Sequence, residues 1–492
     1  METSIGMSPM ERARHNLAKA PDKLKRFFYS DSYLVFFCIT VFLSWYIDIP
    51  AIALISLAIL GGIAVLILDD LTPTMPLFFI SSAIFATSNI EKYLFQFIPI
   101  GIFLLLILIH VIIYRPIFRV RKMYIPHLIC GVAIFFGGVG SANKISWLSE
   151  AGKEGLAQYI PWIVLPLLFY FFLGYCKPNK YVSTKVFISK VLVYFGVLIT
   201  VQLVISLLFG NTIMHGKGAI FKILNYESPE EPDVNLGWAN PNNVATLLLM
   251  CFPFGFYLSH KLKKRGYKYN IMGYTGFLGI FLTFSRGGIL FGIIIAFFIS
   301  SILIFKSEHR WRELKPAVII ILLVGIFCAI FFNQIVGALE MAKLQGGTGR
   351  EKIYSDAIRN FKNNILTGNG MIYLRGHGEA TYNNGTLYWY HSTFFQTIGG
   401  MGLIGIIAMS YEYIVRYRII FKGMKNDMFR IFMFFGLLGY ELYSLIDCGT
   451  FLPYPFVTLA MVLTGIAEIH NLETKLEQKD VLLEEYKIYL ER

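Results

Sequence analysis

The chain has 492 residues, of which 56% are hydrophobic and only 15% carry a charge, and its mean hydropathy is +0.59. Apolar runs of about 20 residues recur along it, which predicts an all-α fold, a polytopic transmembrane helix bundle. Open strands cannot cross hydrocarbon, and the runs are too long and too evenly apolar for a β-barrel.

In chain order, a basic N-terminal tail (1–31) precedes an apolar run that we interpret as a retained span rather than a cleaved signal. We expect about 12 to 14 spans from length and apolarity. Their approximate ranges are 32–48, 50–68, 74–90, 94–114, 125–143, 159–176, 187–209, 240–259, 270–285, 287–305, 316–335, 393–415, 431–447 and 452–470. They form one predicted membrane domain over 32–470, and a charged helix over 471–492 follows.

The six cysteines are scattered in or at the edges of these apolar runs. No two of them form a Cys-x-x-Cys pair, so the sequence suggests neither a metal knuckle nor a disulfide framework. We therefore predict no metal site.

The distribution of basic residues predicts the topology. If the N-terminal tail is cytoplasmic, most loops on that side carry four or five Lys and Arg, whereas the short outward turns carry two or fewer. This positive-inside pattern places both termini in the cytoplasm and the segment 336–392 outside. It also spreads the net charge of +13 along one membrane face, which argues against nucleic acid as a partner.

The segment 336–392 is the longest polar interval outside the termini, and we call it the outer loop. Within it, Thr348 and Glu351 have capping-box spacing, and a short helix is predicted from Glu351 to Asn364. A cation at a helix start is mildly unfavourable unless an anion shares the site. Arg350 is therefore a candidate anion-binding residue.

Two further candidates lie at the predicted outer boundary. Arg286 occupies a Ser-Arg-Gly-Gly turn between two apolar runs, on the side that the charge rule disfavours, and this favours a function over simple snorkelling. His391 begins the span after the outer loop, where histidine suits a general base near neutral pH. The preceding Tyr388, Trp389 and Tyr390 fit an interfacial aromatic belt better than a platform for sugar rings.

Several polar residues are secondary candidates. Asn240 and Asn242 flank a proline at the start of a span, so their polarity is partly helix-start chemistry. Glu441 and Asp447 lie in or at the end of a span, where ionisable groups usually face a polar interior. The outer loop contributes Arg375, His377 and Tyr382.

Four motifs over 186–469 together resemble the O-antigen ligase and polysaccharide polymerase superfamily of bacterial membrane glycosyltransferases. They are Gly237-Trp238-Ala239-Asn240-Pro241-Asn242, Thr283-Phe284-Ser285-Arg286-Gly287, Gly349-Arg350 leading to Gly368-Asn369-Gly370, and His391-Ser392 leading to Gly399-Gly400-Met401-Gly402-Leu403-Ile404-Gly405. The resemblance implies transfer of a glycan from an undecaprenyl diphosphate carrier to an acceptor hydroxyl. It places this reaction on the outer face of the bacterial cytoplasmic membrane, without metal, cofactor or nucleotide sugar.

The resemblance also assigns roles. Arg286 and Arg350 correspond to its phosphate-binding arginines and His391 to its post-loop histidine. Position 392 is Ser where the family usually has Asn, and Tyr354 stands where a Trp often follows the loop arginine. A diphosphate leaving group gains negative charge as its bond breaks, which guanidinium groups can stabilise, and attack from the opposite face inverts the anomeric centre.

Three functions stay open at this point. We favour a polymerase that joins lipid-linked oligosaccharide repeat units for a capsule or lipopolysaccharide. A ligase that transfers finished glycan to a lipid or wall acceptor uses the same glycan donor, and the sequence does not separate the two. A lipid-linked sugar transporter or flippase predicts inverted repeats and charged groups near the bilayer midplane, and the sequence shows neither. The implied partners are the glycan donor, a glycan or lipid acceptor, membrane lipids, a flippase and a chain-length regulator.

The topology is directly testable. Single cysteines replacing Thr348 and Tyr382 should react with a membrane-impermeant thiol reagent added outside, whereas cysteines replacing Lys264 and Asn471 should react only after the membrane is opened. Labelling of the outer loop from the cytoplasm alone would contradict the proposed chemistry, because the glycan donor would lie on the opposite face.

Overall fold

The computed structural model describes residues 19–84, 98–114, 122–138, 150–174, 176, 181–209, 241–330, 332, 350–368, 370, 390–447, 449–451 and 453–471. These ranges contain helices and turns and no strand. The predicted all-α helix bundle is confirmed, since each span predicted from the sequence overlaps a helix. Among the described residues, five stretches are long and apolar enough to cross a membrane: Pro50–Ile67, Thr184–Phe209, Pro241–Leu282, Arg286–Lys306 and Thr393–Phe421.

The α-helices are numbered here in chain order. They are α1 (Asp22–Phe27), α2 (Asp31–Tyr46), α3 (Pro50–Ile67), α4 (Met75–Ser81), α5 (Ile98–Tyr114), α6 (Tyr124–Gly138), α7 (Glu150–Leu173), α8 (Thr184–Phe209), α9 (Pro241–Cys251), α10 (Pro253–Leu262), α11 (Tyr267–Leu282), α12 (Arg286–Lys306), α13 (Arg310–Ile330), α14 (Arg350–Asn363), α15 (Thr393–Phe421), α16 (Met428–Ser444) and α17 (458–471). A 3-10 turn at Lys263–Gly266 links α10 to α11, and a π-helical turn at Pro453–Val457 precedes α17.

The helices divide into two compact units. The first unit comprises Met1–Ile117, Tyr175–Gln345 and Phe435–Tyr443. Within it α8, α10 and α11 pack together, and small residues allow their backbones to approach. A Cβ at Gly255 of α10 would lie only 2.5 Å from the carbonyl oxygen of Tyr269 of α11. Such close contacts are typical of helices that associate in membranes.

The second unit comprises Phe118–Gly174, Gly346–Phe434 and Ser444–Arg492. Its central helix is α15, which packs against both α6 and α14. A buried cluster joins α15 to α6: the Nδ1 atom of His127 lies 3.2 Å from Glu412, which also accepts a hydrogen bond from Arg416. The Nε2 atom of His127 lies 3.1 Å from the carbonyl oxygen of Trp162 of α7. Paired, hydrogen-bonded groups of this kind fix the register of the helices that carry them, because breaking a pair leaves a buried charge.

The structure changes two predicted spans. The predicted span 240–259 is two helices, because Pro253 cannot supply the amide hydrogen that would continue α9 into α10. The predicted span 393–415 extends to Phe421 and is interrupted at Gly402. The predicted domain boundaries at 31 and 471 stay predictions, and residues 472–492 of the predicted C-terminal charged helix lie outside the described residues.

Candidate functional site

The Ser-Arg-Gly turn at the start of α12 is held by hydrogen bonds within the first unit. Ser285 is the N-cap residue, and its hydroxyl oxygen accepts the amide hydrogen of Gly288 at 3.4 Å. The same hydroxyl donates to Oδ1 of Asn242 at 3.0 Å and lies 2.7 Å from the hydroxyl of Tyr443. Ser285 is therefore buried and anchored, whereas the side chain of Arg286 is exposed.

Phe284, the residue before this N-cap, has a φ of +54°. Non-glycine residues rarely adopt such a backbone, and it costs about 1–3 kcal/mol. The contact between Ser285 and Asn242 helps to maintain the turn. The sequence identified Asn242 as a secondary candidate, and the structure gives it a supporting role behind Arg286.

Arg350 is the first residue of α14, in the second unit. The predicted short helix is confirmed, although it begins one residue earlier and ends at Asn363. The half-buried guanidinium of Arg350 donates a hydrogen bond to the main-chain carbonyl of Ile446. Thr348, the predicted capping partner, lies outside the described residues.

His391 lies directly before Ser392, the N-cap residue of α15. The hydroxyl of Ser392 accepts the amide hydrogen of Phe395, which gives the serine a clear helix-start role. His391 itself has a φ of +50°, the second strained non-glycine backbone beside a predicted functional motif. Its Nδ1 atom lies 3.6 Å from Oδ1 of Asp447; the histidine side chain is 42% exposed and the aspartate 11%.

The second unit thus brings together three residues that the sequence predicted separately. Arg350 contacts the carbonyl of Ile446, and the next residue, Asp447, faces the ring of His391. At 3.6 Å the His–Asp contact is electrostatic rather than a hydrogen bond.

Helices α14 and α15 are held together by polar and aromatic contacts, of which the sequence did not single out Asn360 and Gln396. Asn360 of α14 donates to the hydroxyl of Tyr390 at 2.7 Å, and the amide of Tyr390 donates to Gln396 of α15 at 2.9 Å. The ring of Tyr354 stacks on Phe395 with centroids 4.1 Å apart. Tyr390 is fully buried, so its assignment to an interfacial aromatic belt is wrong. Gln396 was detectable in principle as an isolated amide in an apolar run.

Helix α15 is interrupted at Gly402, and the chain that follows α14 forms hydrogen bonds with the backbone at this break. Gly402 has φ +61° and ψ −149°, which interrupts the helical hydrogen bonding. The amide of Leu403 donates to the carbonyl of Ile365 at 2.8 Å, and that of Ile404 to Leu366 at 3.1 Å. We call this contact between 365–370 and 399–404 the clasp.

Glycines make the clasp possible because two backbones touch in it. The amide of Gly370 donates to the carbonyl of Gly400 at 3.1 Å. A Cβ at Gly368 would lie 2.7 Å from the carbonyl oxygen of Gly399, and one at Gly402 would lie 2.6 Å from the amide nitrogen of Gly368. Two glycine motifs that looked separate in the sequence are therefore the two sides of one contact.

Among the remaining predicted site residues, the structure describes Glu441. Glu441 is half-buried on the part of α16 that belongs to the first unit. Outside the described residues lie Asn240, Arg375, His377 and Tyr382. Tyr443, which supports the turn before Arg286, was missed because nothing in its apolar surroundings distinguishes it from a packing tyrosine.

Comparison with protein families agrees with the motifs. Residues 271–410 match the O-antigen ligase family. The matched stretch contains Arg286, Arg350, His391 and the clasp, and it supports the O-antigen ligase and polysaccharide polymerase superfamily. A search of curated proteins finds no match. The apolar helices and this domain together indicate a multi-pass membrane protein with a ligase-type or polymerase-type function.

The clasp can be tested with matched glycine variants. Gly402→Ala and Gly368→Ala should lower both thermal stability and glycan transfer, because a Cβ would force the two backbones apart and overpacking typically costs about 1–3 kcal/mol. Gly423→Ala is the control: its φ is also positive, at +78°, but nothing lies within 4 Å of the added Cβ. If all three variants behaved alike in thermal unfolding and transfer assays, backbone strain rather than contact across the clasp would explain the glycines.

Proposed function

We propose that this protein is a membrane glycosyltransferase, and specifically a polymerase that joins lipid-diphosphate-linked oligosaccharide repeat units on the outer face of the cytoplasmic membrane. The observation that carries the proposal is the group Arg350, His391 and Asp447 in the second unit. It combines a cation suited to phosphate, a proton acceptor and a carboxylate beside that acceptor.

His391 is proposed to act as the general base. Asp447 faces its Nδ1 atom and favours a hydrogen there, which leaves the lone pair of Nε2 for the proton of the acceptor hydroxyl. The acceptor oxygen then bonds to the anomeric carbon of the glycan donor. The bond to the diphosphate breaks, its electron pair goes to the leaving oxygen, and the anomeric centre inverts.

Arg350 is proposed to bind the diphosphate. A guanidinium has five N–H groups, so the bond to the carbonyl of Ile446 orients it and leaves donors for phosphate oxygens. Hydrogen bonds between arginine and phosphate strengthen as negative charge develops on the leaving group. The exposed Arg286, on its anchored turn, is proposed to contact phosphate as well, as the resemblance implies.

An O-antigen-type ligase is the second candidate, favoured by the description of the matched family. Both activities use the same glycan donor, which we propose to be linked to undecaprenyl diphosphate, and the acceptor distinguishes them. A polymerase lengthens a lipid-linked glycan, whereas a ligase moves a finished glycan to another lipid or to the wall. An assay with a lipid-linked repeat unit as the only substrate distinguishes the two activities, because only the polymerase forms a ladder of products of increasing length.

His391→Ala should remove most turnover of the purified enzyme, since a positioned base is typically worth about 10²–10⁴ in rate. Binding of the glycan donor should persist, because both arginines remain. The measurement is carrier lipid released per minute from a lipid-diphosphate donor, with product length scored in parallel. Asp447→Asn should lower the rate without lowering the affinity for the glycan donor.

The chain provides a matched control in His470, whose Nε2 atom lies 3.6 Å from Asp427, with 36% and 14% of the two side chains exposed. His470→Ala removes a His–Asp contact of similar geometry and should leave turnover near that of the unmodified protein. Folded His391→Ala enzyme that kept more than about a tenth of the original rate would show that the base lies elsewhere. His377 would then be the next residue to replace.

Arg286→Lys and Arg350→Lys should each slow transfer by about 10²–10³ although the charge is kept, because lysine lacks the planar fork that binds phosphate through two hydrogen bonds. Arg359→Lys on α14 is the control, since this exposed arginine is paired with Asp356 at 2.7 Å. Unchanged turnover in both test variants would contradict diphosphate recognition by these residues and leave the role of His391 open.

A further inference from the structure

Two turns of the first unit form an open groove at the ends of four apolar helices. One turn, Lys263–Gly266, joins α10 to α11, and the other, 307–309, joins α12 to α13. The groove has a volume of about 700 Å³ and is lined by Lys264, Glu308, His309, Arg310, Trp311 and Arg312. We call it the basic groove. Because each turn joins two apolar helices, the groove lies at a membrane–water boundary.

Both acidic groups near the basic groove are already engaged by neighbouring cations. Glu308 accepts a hydrogen bond from Lys263 at 3.0 Å, and this contact holds the pKa of Glu308 below its usual range. Glu313 accepts a hydrogen bond from Nε of Arg312 at 3.1 Å. These two ion pairs cancel in charge, so neither carboxylate is available to the other cations.

Glu313 also gives the basic groove a fixed wall. It is fully buried and accepts hydrogen bonds from Ser259 of α10 at 2.7 Å and from Asn270 of α11 at 2.6 Å. A buried carboxylate with several donors is held in one position. Arg312, which pairs with Glu313, lies beside the start of α11, with its guanidinium carbon 5.9 Å from the ring centre of Tyr267.

Two cations that line the groove, Lys264 and Arg310, are exposed. The acidic residues that the structure describes beside them, Glu308 and Glu313, pair with Lys263 and Arg312 instead. Trp311, which also lines the groove, is 79% exposed, and Phe305 near the end of α12 is 74% exposed. Exposed aromatic rings next to basic residues are typical of the region where lipid headgroups meet hydrocarbon.

We propose that the basic groove binds the headgroup of an anionic phospholipid. Lys264 and Arg310 bind the phosphodiester, and the ring of Trp311 lies against the glycerol and the first methylenes of the acyl chains. A soluble anion would satisfy the cations but would leave the aromatic rings without a partner. Basic pockets between membrane helices are known to select anionic lipids. This inference does not depend on the proposed glycosyl transfer.

The experiment uses the full-length protein, purified in a nonionic detergent. Thermal unfolding is followed while phosphatidylglycerol, phosphatidylcholine or inorganic phosphate is added. Phosphatidylglycerol should raise the unfolding temperature in a saturable way, because a ligand that binds the folded state stabilises it. Lys264→Gln combined with Arg310→Gln should weaken its apparent affinity about thirtyfold, the effect of two interfacial cations at about 1 kcal/mol each.

Lys422→Gln combined with Lys425→Gln is the matched control, since both lysines are exposed in the turn after α15. This pair should leave the affinity within about twofold of the unmodified protein, since random surface changes have small effects. If both double variants weakened the affinity for phosphatidylglycerol equally, the lipid would be attracted by the overall surface charge. That result would overturn the proposal of a specific site in the basic groove. An equal shift with phosphatidylcholine, or with inorganic phosphate, would overturn the assignment to an anionic lipid.

Discussion

The candidate site depends on hydrogen bonds across the break in α15. In hydrocarbon each unpaired amide or carbonyl group costs several kcal/mol. An interrupted helix must therefore find other hydrogen-bond partners for the groups that the break exposes. Here the chain after α14 supplies the missing partners, since the amides of Leu403 and Ile404 bond to 365–366. Helix α14, the described chain after it and α15 therefore form one structural element. Its two helices begin at Arg350 and directly after His391 and Ser392, the residues on which the proposed chemistry depends.

The two units use the same local construction to present a candidate site residue. In each, a serine caps a helix and a non-glycine residue with positive φ precedes it: Phe284 before Ser285, and His391 before Ser392. The cap satisfies the amide hydrogens at the helix start, and the strained residue turns the chain sharply into it. In the first unit the exposed side chain is that of Arg286, which follows the capping serine. In the second unit it is that of His391, the residue with positive φ.

The sequence predicted the helical fold and the short helix from Glu351, because apolar periodicity and capping residues are local signals. It also proposed Arg350, His391 and Asp447 as site residues, and that assignment stays a prediction. It could not predict that Asp447 faces His391, since the two are separated by the whole of α15 and α16. The glycines around 368 and 402 were recognised as motifs, but their contact with each other could not be predicted. Two backbones pair there, and such a pairing leaves no pattern in the side chains of the sequence. Tyr390 was misassigned for a related reason: an aromatic residue beside a span has the same sequence signature whether it faces lipid or Asn360.

The buried cluster of His127, Glu412 and Arg416 anchors the half of α15 that follows the break. Separation of that half from α6 would leave the buried ring of His127 without its partner Glu412, and an unsatisfied buried polar group typically costs about 1–3 kcal/mol. The half before Gly402 is also packed on two sides, because Phe395 stacks on Tyr354 of α14 and Met401 shares a buried apolar cluster with Cys130 and Ala133 of α6. His391 therefore precedes a helix that is anchored on both sides of its break, so the backbone of the proposed base is preorganised by packing rather than positioned by substrate.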